Sequence, residues 1–106
     1  MSISLLRAGD GINYPQNAQS VSVHYDAFLP NGAQWDSSRK RGRPLRFRVG
    51  VGQVVAGLEL GVREMSIGEH VRLRVPHELA YGERGFPGLV PPCTDIEFDI
   101  ELIDIV

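Results

Sequence analysis

Apolar and polar residues alternate along four stretches of the chain, which is the pattern of strands with one buried face. In the first stretch the odd-numbered residues from 21 to 29 are apolar, whereas Ser22, His24 and Asp26 are polar. The four stretches are residues 20–29, 45–49, 71–75 and 95–102. Residues 2–7 and residues 33–36, which follow a Pro-Asn-Gly turn, add two further candidate strands. The pattern therefore predicts a sheet protein.

The segment from Gln53 to Gly68 breaks this alternation, because its apolar residues recur at helical spacing. The residues on the predicted apolar face are Val54, Val55, Leu58 and Val62. Gly57 and Gly61 lie within the segment, and each costs a helix about 1 kcal/mol relative to alanine. So short a helix needs a surface to lie on, and its glycines indicate a close approach of its backbone to that surface. We predict one short helix across the face of the sheet.

Charged residues are distributed unevenly. The polar face of residues 95–102 is acidic, and like charges on one strand repel, so we expect Arg72 and Arg74 of a neighbouring strand to lie beside it. The basic run in Ser37–Pro44 is interpreted as a solvated loop. The segment Ala80–Pro92 predicts a long loop that is rich in glycine, proline and apolar residues, and such loops are often functional.

Composition narrows the class of protein. The 106 residues predict a single domain, residues 1–106, and the net charge of −2 argues against nucleic acid and anionic membranes as partners. The single cysteine, Cys93, excludes an intrachain disulfide. No membrane span or secretion signal is recognisable, so a cytoplasmic location is expected. The three histidines are scattered, and no phosphate or dinucleotide motif is present, so we expect no metal and no cofactor.

Two observations suggest a binding cleft. Most of the eight aromatic residues lie at strand ends or in the long loop, a distribution that suits an apolar cleft with few polar groups. Asp36 follows the only tryptophan, Trp35. Asp36 is equally compatible with a turn residue that bonds its own backbone and with a carboxylate at the rim of an apolar pocket.

Several separated motifs in register resemble the FKBP family of peptidyl-prolyl isomerases, which bind tacrolimus and rapamycin. The similarity runs nearly end to end. The motifs are Val23-His24-Tyr25, Trp35-Asp36-Ser37-Ser38, GQVVAG from Gly52, MSIGE from Met65, Ala80-Tyr81-Gly82, GFPGLVPP from Gly85 and FDIEL from Phe98.

The resemblance implies an α+β fold in which a five- or six-stranded antiparallel sheet wraps around one short helix. It also implies a monomeric isomerase of proline-containing peptides and proteins that binds macrolides, with possible protein partners of the drug complex. The implied pocket residues are Tyr25, Trp35, Asp36, Phe47, Val54, Val55, Leu58, Tyr81, Phe86, Val90 and Phe98. Among these, the catalytic residues would be Tyr25, Asp36, Tyr81 and Phe98.

The chain departs from the best-known members of the family at four positions, and the residue at each of them is apolar. Trp35 stands where phenylalanine is usual, and Leu58 stands where the pocket floor is often tryptophan. Leu45 and Phe86 replace a common phenylalanine and a common histidine. The alternatives to catalysis are a non-catalytic module that docks a proline-containing loop of a partner protein and, less compatible with the charge, nucleic-acid binding through residues 39–43.

Overall fold

The computed structural model covers residues 1–106 and has a six-stranded antiparallel sheet with a two-turn helix across one face. The predicted fold class is therefore confirmed. The strands are β1 (Ser2–Arg7), β2 (Ser20–Phe28), β3 (Gln34–Ser37), β4 (Leu45–Arg48), β5 (His70–Val75) and β6 (Ile96–Ile105). The helices are α1 (Ser38–Arg41) and α2 (Ala56–Arg63), with a 3-10 turn at His77–Leu79.

The strand order is β1-β5-β6-β2-β3. Strand β3 pairs with residues 26–28 of β2, and β4 pairs with residues 20–23 of the same strand. The alternating apolar residues of β2, β5 and β6 all point to one face, because residues two apart on a strand share a side. Val23 of β2 pairs with Leu102 of β6, and Leu73 of β5 pairs with Phe98. These residues are almost completely buried and form the centre of the core. No helix of the chain is sufficiently long and apolar to cross a membrane.

Helix α2 lies on the core through Leu58 and Val62, as its spacing predicts. A Cβ added at Gly57 would lie 2.3 Å from Val75 Cγ1, and one added at Gly61 would lie 2.5 Å from Leu73 Cδ1. The predicted close approach at the two glycines is therefore confirmed. The predicted helical face was too long, however. Val54 and Val55 precede the first turn, where Val55 has the extended backbone of a residue that caps a helix.

The basic run does not form a solvated loop throughout, so that prediction was wrong for residues 37–41. Ser37 caps helix α1 by accepting a hydrogen bond from the Lys40 N–H at 3.1 Å. Ser38 is fully buried, and its hydroxyl accepts a hydrogen bond from the Tyr25 N–H at 2.7 Å. Gly42 ends the helix with a left-handed backbone. The run is thus attached to β2, and its residues Arg39 and Arg41 are held by ion pairs with Asp26 and Asp36.

The acidic face of β6 is neutralised by cations from three directions. The expected partner Arg72 lies 3.6 Å from Glu97, which confirms the predicted pairing. Arg39 of α1 reaches Asp99 at 3.4 Å, and Arg7 of β1 reaches Glu101 at 2.5 Å. The hydrogen bond from Arg7 lowers the pKa of Glu101 below its usual value. Glu101 therefore stabilises the fold at neutral pH, and this contribution is lost as the pH falls through the lowered pKa.

Candidate active site

A cluster of aromatic rings forms where β2, β3 and β6 meet the loop after β5. Trp35 is in contact with three other rings in edge-to-face geometry, with centroid distances of 5.8 Å to Tyr81, 6.3 Å to Phe98 and 6.4 Å to Phe86. Tyr25 lies edge-on to Phe98 at 6.0 Å, and Tyr81 lies 5.2 Å from Phe86. Five of the predicted pocket residues are therefore in mutual contact, although they come from four separate segments.

The remaining apolar residues of the predicted pocket lie in or against the core. The buried ones are Phe47, Leu58 and Val90, each 3% exposed. Val54 and Val55 are partly buried and pack against the same core. Phe86, by contrast, is 41% exposed, so it covers the cluster from the solvent side. Leu58 is thus part of the hydrophobic core.

The loop that carries Tyr81 and Phe86 is tied down by its own hydrogen bonds. Phe86 and Val90 form an isolated antiparallel bridge in which each N–H donates to the other carbonyl at 2.8 Å. Gly85 adopts a φ of +69°, and a Cβ there would lie 2.4 Å from the Val90 carbonyl oxygen. The Cys93 N–H closes the loop by donating to the Gly82 carbonyl at 2.9 Å. This part of the loop has regular local structure, which fixes Phe86 against Trp35.

Three polar side chains form a closed network beside the rings. The Tyr25 hydroxyl donates to Asp36 Oδ2 at 2.6 Å, and Arg41 donates to Asp36 Oδ1 at 2.5 Å. Arg41 also donates to the Tyr25 hydroxyl at 3.0 Å, with its guanidinium 5.6 Å from the ring centroid. Asp36 accepts the Ser37 N–H as well, although it lies in strand β3 and not in a turn. Asp36 therefore bonds its own backbone, as one interpretation of the sequence expects, while its role at the rim of an apolar pocket stays a prediction.

Arg41 is the member of this network that the sequence analysis missed. Its position in a basic run concealed it, since five of the residues from 39 to 46 carry the same charge. Helix α1 places its side chain over the Tyr25 ring, one turn after the strand that carries Asp36. Only the short cap at Ser37 could have indicated that this run folds back.

Both phenols near the cluster keep their protons at neutral pH. Burial raises the pKa of Tyr25, and its hydrogen bond to the Asp36 carboxylate adds to that increase. Burial also raises the pKa of Tyr81, and the negative charge of Asp36 acts in the same direction. Each hydroxyl therefore remains a hydrogen-bond donor over the physiological range.

Three predicted pocket residues each have a hydrogen-bond donor without a partner in the chain. The indole N–H of Trp35 is buried and has no hydrogen-bond partner. The Val55 N–H, at the start of α2, donates no hydrogen bond within the chain, and neither does the Tyr81 hydroxyl. An unpaired buried donor costs about 1–3 kcal/mol, so the Trp35 N–H is unfavourable unless an acceptor from another molecule enters.

The histidines lie outside the cluster. His77 Nδ1 is 3.2 Å from Asp95 and 3.3 Å from Glu78, the one group of ligand-type side chains that the fold brings together. Asp95 also accepts the His77 N–H at 2.9 Å, so hydrogen bonds that close the 3-10 turn account for the arrangement. His24 contacts Ser38, and His70 pairs with Asp99.

Two open depressions border the aromatic cluster. One has a volume of about 410 Å³ and is lined by Gln34, Trp35, Asp36, Ser37, Lys40 and Arg41. The other has a volume of about 450 Å³ and runs along Leu29, Arg84 and residues 87–92. Of the predicted pocket residues, Trp35 and Asp36 line the first depression and Val90 lines the second.

Known proteins resemble the chain over almost its entire length. The family model for FKBP-type peptidyl-prolyl cis-trans isomerases matches residues 11–103. FK506-binding protein 1 of Yarrowia lipolytica is 44% identical over 99% of this chain and 97% of its own length. FK506-binding protein 1 of Debaryomyces hansenii is 43% identical over 97% of this chain and 92% of its own. The Drosophila melanogaster protein named peptidyl-prolyl cis-trans isomerase Fkbp12 is 43% identical over 92% of this chain and 90% of its own.

The fold, the aromatic cluster and these similarities agree, and the chain belongs to the FKBP-type peptidyl-prolyl cis-trans isomerases.

Proposed function

We propose that the cluster of Tyr25, Trp35, Tyr81, Phe86 and Phe98 is the pocket in which this isomerase rotates X–Pro bonds. The observation that carries the proposal is the buried, unpaired N–H of Trp35 within a cluster of aromatic rings, which suits a bound peptide carbonyl. Rotation about the amide has a barrier of about 18–20 kcal/mol without catalysis. The twisted amide has lost resonance and is less polar than the planar one, so an apolar pocket favours it.

Each pocket residue has a distinct proposed role. Leu58 forms the floor, and Tyr25, Trp35 and Phe98 surround a carbonyl of the ligand. The Val55 N–H and the Tyr81 hydroxyl donate to ligand carbonyls, so that the donors are in place before the proline ring turns. Asp36 accepts one hydrogen bond from the ligand. Phe47, Val54, Phe86 and Val90 complete the apolar walls.

The same pocket is proposed to bind tacrolimus and rapamycin. Relatives that are 43–44% identical are named for FK506 binding. The four positions at which this chain departs from the best-known members, residues 35, 45, 58 and 86, are all apolar here. We further propose that the chain acts as a cytoplasmic monomer and as one domain, residues 1–106. Its partners are then proline-containing proteins, together with any protein that recognises the drug complex.

A proline-isomerisation assay with and without tacrolimus tests this assignment. We expect the macrolide to abolish catalysis and to change the emission of Trp35, because the indole would then contact the drug. Trp35 is the only tryptophan, so the signal has one source. Inhibition with unchanged emission would place the drug away from Trp35. Peptide binding without any acceleration would favour the alternative, a non-catalytic docking module.

The pH dependence of the rate tests the mechanism. We expect kcat/KM to be nearly constant from about pH 6 to 8, because no histidine contacts the aromatic cluster and burial keeps Tyr25 and Tyr81 protonated. The measurement is a rate profile accompanied by circular dichroism to verify folding. A bell-shaped profile centred near about 6.5, the usual pKa of histidine, would contradict this mechanism and indicate acid–base catalysis instead.

A further inference from the structure

The positive charge of the chain is concentrated beside the proposed pocket. Residues 37–58 contain six of the eleven basic residues and none of the thirteen acidic ones. That segment therefore has a formal charge of +6, while the five basic and thirteen acidic residues elsewhere give −8, which together make the net charge of −2. The overall charge thus conceals a strongly basic region.

Internal ion pairs account for only two of these six cations. Arg39 pairs with Asp26 at 2.7 Å, and Arg41 pairs with Asp36 at 2.5 Å. The other four are exposed and form no ion pair; they are Lys40, Arg43, Arg46 and Arg48, and we call them the basic face. On β4, Phe47 points into the core, so Arg46 and Arg48 on either side of it point to the solvent.

One residue of the basic face, Lys40, lines an open groove that begins at the proposed pocket. The depression of about 410 Å³ that begins at Trp35 and Asp36 is also lined by Lys40. A peptide whose proline lies among the aromatic rings can leave along this groove and bring its flanking residues to the basic face. Four unpaired cations attract a chain with the opposite charge, an effect that acts mainly on association rates.

We propose that the basic face recognises anionic residues, carboxylate or phosphate, that flank the proline of a polypeptide substrate. This proposal rests on the proposed pocket. A polypeptide suits the surface better than a nucleic acid does, because the single aromatic residue of the basic segment 37–58, Phe47, is buried and cannot stack on a base. The rest of the chain, which has a formal charge of −8, would also repel a long polyanion. A few flanking acidic residues need only the groove and the four cations.

The test compares matched proline peptides that share leucine before the proline. Each series has three peptides, which carry three glutamates, three phosphoserines or three glutamines. In one series these residues follow the proline, and in the other they precede the leucine. At about 20 mM salt we expect the anionic peptides of one series to have kcat/KM about three- to tenfold above the glutamine peptide. The ratio should approach one at about 0.5 M salt, where charges are screened beyond roughly 4 Å. Comparing glutamate with phosphoserine shows which anionic group is preferred.

Charge-reversal variants locate the effect. In a Lys40→Glu/Arg43→Glu variant the ratio of anionic to neutral rates should fall to one or below. Arg74→Glu is the matched control, because Arg74 is exposed, makes no ion pair and lies on β5 outside the basic face. It should keep the wild-type ratio.

Three results would overturn the proposal: equal rates for anionic and neutral peptides at low salt, a ratio unaffected by Lys40→Glu/Arg43→Glu, or an equal loss in Arg74→Glu. Tighter binding of a single-stranded oligonucleotide than of the glutamate peptide at physiological salt would assign the face to nucleic acid instead. Isomerisation of the neutral peptide and its inhibition by tacrolimus report on the pocket alone, so failure of the pocket proposal is seen separately.

Discussion

Replacing Gly57 with alanine is expected to lower the free energy of unfolding by about 1–3 kcal/mol, the usual cost of overpacking a core. The new methyl group would lie 2.3 Å from Cγ1 of Val75, which is completely buried and has no space to retreat. Alanine would by itself favour the helix by about 1 kcal/mol, so the steric effect has to exceed that gain. Urea unfolding followed by circular dichroism measures the difference.

Leu60→Ala on the same helix is the control. Leu60 is 47% exposed, so its truncation should change the free energy of unfolding by less than about 0.5 kcal/mol. If Gly57→Ala proved as stable as the wild type, α2 would not lie against β5 as closely as the structure has it. The Gly61→Ala variant offers an independent check, because its methyl group would meet Leu73 instead.

Asp36→Ala is expected to reduce kcat/KM at least about tenfold and to destabilise the fold by about 1–3 kcal/mol. The substitution removes the acceptor for the Tyr25 hydroxyl and leaves the Arg41 guanidinium without its carboxylate. Tyr25 is only 6% exposed, so water cannot readily replace the lost acceptor. The measurements are isomerisation of a neutral proline peptide and urea unfolding of the same preparation.

Asp104→Ala provides a matched control for this substitution. Asp104, like Asp36, accepts the N–H of the next residue, at 2.9 Å, but it is exposed and contacts neither tyrosine nor arginine. We expect Asp104→Ala to keep wild-type activity. Equal losses in the two variants would indicate that Asp36 acts only through its hydrogen bond with the next backbone N–H. Activity lost in Asp36→Ala but retained in Asp36→Asn would show that the acceptor oxygen matters and the charge does not.

The sequence was sufficient for the features that depend on local periodicity. Alternation located β2, β5 and β6, because a residue and its second neighbour on a strand share one face whatever the rest of the fold does. The glycines of α2 predicted its contact with the sheet, since a missing Cβ is useful only where another group comes close. The ordered motifs further indicated the family, which the comparisons establish.

The tertiary structure decided the features that depend on which distant segments meet. Periodicity carried the helix back to Val54, but the backbone is extended at Val55 and its N–H donates no hydrogen bond within the chain. The run of arginines looked uniform, yet the buried hydroxyl of Ser38 fastens it to β2, so that Arg41 reaches Tyr25 while Arg43 stays in solvent. Charge and hydropathy are properties of single residues, whereas the partner of a charge is set by the whole fold. For that reason the sequence established that this region is basic, and only the packing of α1 on β2 decided which of its cations are left without a partner.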